Sequence, residues 1–297
     1  MAFILSCCDT ADLTAEHFLR RELYTVAFHY RLNGVEYPDA SGHSLSSAEF
    51  YTRLQSDTDA QTAQPSIGDY LEHFSSFLSQ GLDVLHVSLS SGLSGACHSA
   101  RNAALIAGEQ FPDRKIVVVD SLGASSGYGM LMDTLADMRD RGASLEETAA
   151  WAEEHKLNIS HLFFSQDLSY YVRGGRISKT AAFFGGVLNI CPVLDMDEAG
   201  HLIPREKVRG KKQAIRRLVQ KMEQTAENGA AYSGKCYISQ SACEEDAKAL
   251  IEQLEIQFPA LKNRVEINDV GPVIGCHTGP GTVALFFFGA SRAAEAD

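Results

Sequence analysis

Short β-branched or apolar runs alternate with amphipathic stretches through the first half of the chain, and this alternation constrains the fold more than any other feature. Residues 3–6, 84–89 and 115–119 read as buried strands; 66–78, 94–110 and 126–141 read as the helices between them. Continuous apolar strands separated by helices imply a mainly parallel sheet with both faces covered. Asn33-Gly34, between apolar runs at 27–32 and 35–37, signals a hairpin. Ser46…Glu49 and Ser66…Asp69 have the spacing of helix-start capping pairs, the second less ideal because Asp is shorter than Glu.

The second half reads differently. After a strand at 162–165, Arg173-Gly174-Gly175-Arg176 breaks the chain, and an apolar, glycine-interrupted stretch follows at 181–194. Asp197-Glu198-Ala199-Gly200 reads as a turn between two strands. Ala214, Ile215, Leu218, Val219 and Met222 share one helix face, and Ala247, Leu250, Ile251, Leu254 and Phe258 another. Residues 264–267 and 282–288 are further strands. With 297 residues there is room for two ordinary domains. The expected fold is therefore α/β with two α/β domains. Residues 1–160 form a mainly parallel sheet with flanking helices, and 161–297 a mixed or antiparallel sheet with helices.

Charge and cysteine content narrow the function. Acidic residues outnumber basic ones 38 to 26, a formal charge of −12, which argues against a nucleic-acid-binding surface. Seven cysteines with no C-x-x-C and no metal-ligand spacing suit a reduced, cytoplasmic protein whose thiols pack, with no metal. The first residues lack a basic n-region, so no signal peptide is expected. The apolar run at 283–288 is too short to span a bilayer.

Three Ser/Thr/Gly-rich segments sit where strands should end: Thr62-Ala63-Gln64-Pro65-Ser66, then 88–95, then 120–127. In open α/β sheets, ligands bind outside the carboxyl ends of the strands, where free N–H groups at helix starts favour an anion. Hydroxyls at any one such position are more often simple caps; three on one sheet edge strengthen the anion reading. A fourth segment, Ile274 to Thr282, places His277 inside a glycine-rich turn before a strand, where the imidazole could donate to an oxyanion. Gly123-Ala124-Ser125-Ser126-Gly127 also matches the G-x-S-x-G pattern, and Asp195 and His277 follow in the chain order of a hydrolase triad. Against a serine hydrolase, Asp120, Ser121 and Leu122 separate the pattern from its strand. A regulatory protein that senses a small acid through the same loops is a further reading.

Phe183, Phe184, Val187, Leu188 and Ile190 cluster around Gly185-Gly186. Taken alone, this spacing favours a core helix over the wall of an acyl tunnel. Between Arg205 and Arg217 lie seven basic residues against one acid, an island that reads either as a solvated face or as a docking patch for an acidic partner.

In this order the segments resemble the DegV family of fatty-acid-binding proteins, which includes the FakB subunits of bacterial fatty acid kinase. The matching segments are Thr62-Ala63-Gln64-Pro65-Ser66, Ser90-Ser91-Gly92-Leu93-Ser94-Gly95, Asp120-Ser121, Gly174-Gly175-Arg176-Ile177-Ser178-Lys179, Val208-Arg209-Gly210 and His277-Thr278-Gly279-Pro280-Gly281. Two positions depart from the pattern: Cys8-Asp9 stand where the family has Asp-Ser, and Ala63 replaces a Ser. The resemblance implies a non-catalytic protein without cofactor that holds one long-chain fatty acid between two domains and presents its carboxylate to a separate ATP-dependent kinase. It implies that Thr62, Ser94, Gly95 and His277 bind the carboxylate, that 183–190 lines the acyl tunnel, and that Arg176 and Arg209 lie at the kinase-docking surface. It leaves room for transient membrane contact.

Overall fold

The computed structural model describes residues 3–39, 45–56, 59–181 and 189–295. The strands, in chain order, are β1 (Phe3–Cys8), β2 (Leu23–Val26), β3 (Phe28–Leu32), β4 (Val35–Asp39), β5 (Gln61–Ala63), β6 (Asp83–Ser88) and β7 (Ile116–Asp120). Then come β8 (Ile159–Ser165), β9 (Ile190–Met196), β10 (Leu202–Arg209), β11 (Cys236–Gln240), β12 (Val265–Asp269) and β13 (Thr282–Phe288). The helices are α1 (Ala15–Arg20), α2 (Ser47–Ser56), α3 (Ile67–Leu78), α4 (Ala96–Gln110) and α5 (Ser125–Asp140), followed by α6 (Leu145–His155), α7 (Ser169–Arg173), α8 (Lys211–Thr225), α9 (Glu244–Gln257) and α10 (Pro272–Thr278).

The first half forms the expected parallel sheet, in the order β2-β1-β6-β7. A six-stranded mixed sheet, β10-β9-β8-β13-β11-β12, is antiparallel except for the β11–β12 pair. The hairpin at Asn33-Gly34 joins β3 to β4, and β5 adds to its other edge. The two capping pairs reverse their expected quality. Ser66 and Asp69 make a complete capping box, with bonds of 2.8 and 3.2 Å. Ser46 only accepts from the Glu49 amide, at 3.3 Å.

Helix α5 determines how the sheets meet. Every residue from Ser125 to Asp133 is buried, and the helix packs on β1 of one sheet and on β8, β11 and β13 of the other. Glycine makes the contact close enough: a Cβ on Gly127 would lie 2.5 Å from both the His161 ring and Phe286. Polar pairing secures the middle of the helix, where Asp133 of α5 binds His17, Arg21, Lys235 and Tyr237. One hydrophobic core consequently draws on both sheets, while a second lies between the six-stranded sheet and α8 and α9.

Candidate binding cavity

Between the carboxyl ends of the parallel strands and the inner face of the six-stranded sheet lies a cavity of about 330 Å³. Its walls are largely apolar, including Phe28, Leu89, Phe163, Met196, Val273 and Phe286. Polar side chains along them are turned to internal partners. Thr282 Oγ1 lies 2.9 Å from the Tyr171 hydroxyl and 3.1 Å from Ser165 Oγ. His161 accepts from the Ala124 amide at 3.3 Å, and its other ring nitrogen meets the Ile159 carbonyl at 3.0 Å. A ligand running along this stretch therefore meets mainly carbon and needs no polar partners of its own.

One end differs. Pairing of β5 with β3 sets Thr62 opposite Tyr30 and brings its hydroxyl within 2.8 Å of His277 Nε2. Burial, with the adjacent Arg176 guanidinium, pushes the His277 pKa down to about 3, so the ring is neutral. Arg176 Nη1 donates to His277 Nδ1 at 3.2 Å, which fixes the tautomer: Nε2 carries the proton and donates to Thr62 Oγ1. The Thr62 hydroxyl hydrogen is then free to donate to a ligand. Arg176 is itself held by the carbonyls of Leu93, at 2.9 and 3.2 Å, and Gly174, at 2.6 Å. Gly174 has to be glycine here, since a Cβ would stand 2.2 Å from His277 Nδ1. Opposite, Ser94 Oγ donates to Gln64 Oε1 at 3.1 Å, and Gly95 caps α4, so the N-terminal amides of that helix start at the cavity wall. The Thr62 hydroxyl, a helix start and one guanidinium a layer behind them can hold a single carboxylate.

The structure thus brings Thr62, Ser94, Gly95 and His277 to one end of one cavity, with refinements to the sequence reading. His277 lies on the last turn of helix α10, not in a loop; only Gly279-Pro280-Gly281 forms the turn before β13. Arg176 is half-buried, with its guanidinium bound to two carbonyls and the imidazole. Gln64, which orients Ser94, carried no signal beyond its place before Pro65. Of the expected tunnel residues, Phe183, Phe184, Val187 and Leu188 lie outside the described residues. Ile190 opens β9 opposite Arg209 and is not part of the cavity wall, being about 20 Å along the strand from Met196 at 3.3 Å per residue. Arg209, Lys212 and Arg216 are exposed, whereas Arg205, Lys211 and Arg217 pair with Asp195, Asp246 and Glu206.

The hydrolase triad is not assembled. Ser125 does have the left-handed backbone of a nucleophile elbow, φ 54°, but its Oγ donates to Asp12 at 2.5 Å. Asp195 binds Arg205 at 2.7 Å, and both nitrogens of His277 are engaged elsewhere. A serine-directed fluorophosphonate should leave the protein unlabelled; labelling lost in Ser125→Ala would contradict this assignment.

Comparison with known proteins supplies the context. The family model described as "Uncharacterised protein, DegV family" matches residues 9–290. A DegV domain-containing protein of Clostridium perfringens is 32% identical over 290 residues, 98% of each chain. The solved structure of a DegV family protein from Thermus thermophilus, described as fatty-acid-binding, is 28% identical with a TM-score of 0.84, covering 98% of this chain and 100% of that one. The fatty acid kinase B3 protein of Streptococcus pneumoniae, solved with linoleic acid, shares the fold at 24% identity, with a TM-score of 0.82 over 98% of this chain and 100% of that one.

Proposed function

The chain belongs to the DegV family, and from that premise we propose that it is a carrier for one long-chain fatty acid, presenting the carboxylate to a separate ATP-dependent kinase for acyl-phosphate formation. The observation that carries this reading is the polarity of the cavity: carbon-lined along its length, with Thr62, Ser94, Gly95 and the His277–Arg176 pair gathered at one end. At about 0.8 kcal/mol per buried methylene, an acyl chain of about 14 methylenes contributes on the order of 10 kcal/mol before association costs. The chain supplies affinity, and the hydroxyl end sets direction. The likeness to the Thermus thermophilus protein supports the choice of ligand.

In the kinase step, a carboxylate oxygen attacks the γ-phosphorus of ATP and ADP leaves. The carrier's part is to hold the carboxylate in line while the partner binds the nucleotide. Ser94 and Gly95 border solvent on that side, so the carboxylate is presented outward. Arg209, exposed on β10 near the exposed Lys212 and Arg216, is the docking residue we assign to the partner.

Native mass spectrometry and solvent extraction of the purified protein test the carrier reading. A long-chain fatty acid near one per chain is expected. Protein that emerges empty and also fails to take up added palmitic acid would refute it.

A further inference from the structure

We infer that the cavity ends in a fixed stop for the methyl terminus of the acyl chain, a single rank of side chains across four strands: Leu202, Met196, His161 and Phe286. The inference rests on the fatty-acid reading above and adds to it a limit on chain length. Strand β13 faces the cavity with Thr282, Ala284 and Phe286, which its ladder with β8 sets opposite Ser165, Phe163 and His161. Thr282 marks the carboxylate end, because Tyr171, which its hydroxyl meets, lies on α7, and α7 ends at the Gly174 that abuts His277. Phe286 is four residues further on, about 13 Å away at 3.3 Å per residue. The β8–β9 ladder pairs Phe163 with Leu194; continued two residues, it sets His161 opposite Met196, and Met196 pairs in turn with Leu202. All four members of the rank line the cavity.

Between the two ends the wall on β13 is small, at Ala284; at the rank it is large on every strand. The rank is also braced. The His161 ring is bonded at both nitrogens and meets Phe286 edge-on, with centroids 5.1 Å apart at 82°. Behind Met196 and Leu202, the turn joining β9 to β10 is tied to the first sheet's loops. Ser90 Oγ donates to the Gly200 carbonyl at 2.9 Å, and Arg292 donates to the carbonyls of Asp197 and Leu122, each at 2.7 Å. A packed wall with such ties does not yield to an extra methylene, so acids longer than the channel lose affinity instead of extending it.

The test is competition binding of lauric, myristic, palmitic, stearic and arachidic acids to delipidated protein. In the unsubstituted protein, affinity should rise along the series and then break sharply. Met196→Ala and Leu202→Ala should each move the break to longer acids, and Ala284→Leu, which fills the channel before the rank, should move it to shorter ones. Each methylene gained or displaced should change affinity about fourfold. Leu202 is half-exposed, so its truncation reports on the stop even if a buried substitution impairs folding. Acids that bind with the same break point in all three variants would overturn the stop while leaving the carrier reading intact. Failure of every acid to bind the unsubstituted protein would overturn the carrier reading and the stop with it.

Discussion

Replacing Thr62 with valine is expected to weaken palmitic acid binding about ten- to a hundredfold while leaving cetyl alcohol nearly unaffected. Valine keeps the shape of threonine and removes its hydroxyl. A hydrogen bond to a charged partner is worth about 1.5–3 kcal/mol, which converts to that range of affinity. His277→Ala should have a similar effect, because His277 acts through Thr62: its Nε2–H holds the hydroxyl oxygen, and Arg176 holds the imidazole. The double variant should then lose little more than either single one, as residues in one network do not add. Isothermal titration of the four proteins checks this. Additive losses would show the two side chains acting independently, and unchanged palmitic acid binding would remove the carboxylate site altogether.

The second large effect is on stability in acid. His86 and His161 are buried, with pKa values pushed down to about 3 by that burial, aided by His73 and Arg292 respectively. Burial likewise lowers His73 to about 4, and burial with Arg176 lowers His277 to about 3. Each of these groups takes up a proton near its ordinary 6.5 only when the chain unfolds, so each contributes stability above that pH that is lost as pH falls towards the folded value. Two carboxyls act in the opposite sense. Burial raises Asp12 to about 7 and Asp39 well above its ordinary value, so the folded state holds protons there that the unfolded chain binds only near 3.8. Four protons gained on unfolding against two released leave about two, and stability should fall by about 3 kcal/mol per pH unit between about pH 6 and 4.5. Urea titrations across that interval measure the slope. A flat or rising stability would show that the buried imidazoles are already charged in the fold.

Much of the framework was legible because it is local. The apolar runs of β1, β6 and β7, the spaced faces of α8 and α9, and the turn at Asn33-Gly34 each carry their signal within a dozen residues. Helix α6 was not recognised, because its buried face is mainly Ala149, Ala152 and Thr148, too small to give a strong period. Helix α10 was hidden in glycine-rich sequence because distant partners hold it: Asp12 accepts the Gly271 amide at 3.1 Å, and Tyr51 donates to the Val270 carbonyl at 3.0 Å. The site was legible residue by residue only through the order of its motifs. Thr62 and His277 lie 215 positions apart, and no periodicity joins them. The hydrogen bonding of Arg176 was not legible: an arginine is usually exposed, and nothing nearby in the chain announces that Leu93 and His277 will fold around it.

The central position of α5 has a consequence for how the molecule comes apart. Over its first nine residues the helix is enclosed on every side, so that stretch has no solvent face on which to survive if either sheet departs. Losing either sheet would bare the part of this enclosed, largely apolar surface that packed against it. Two separately hydrogen-bonded sheets are in this way fused into a single melting unit, which neither half can leave alone.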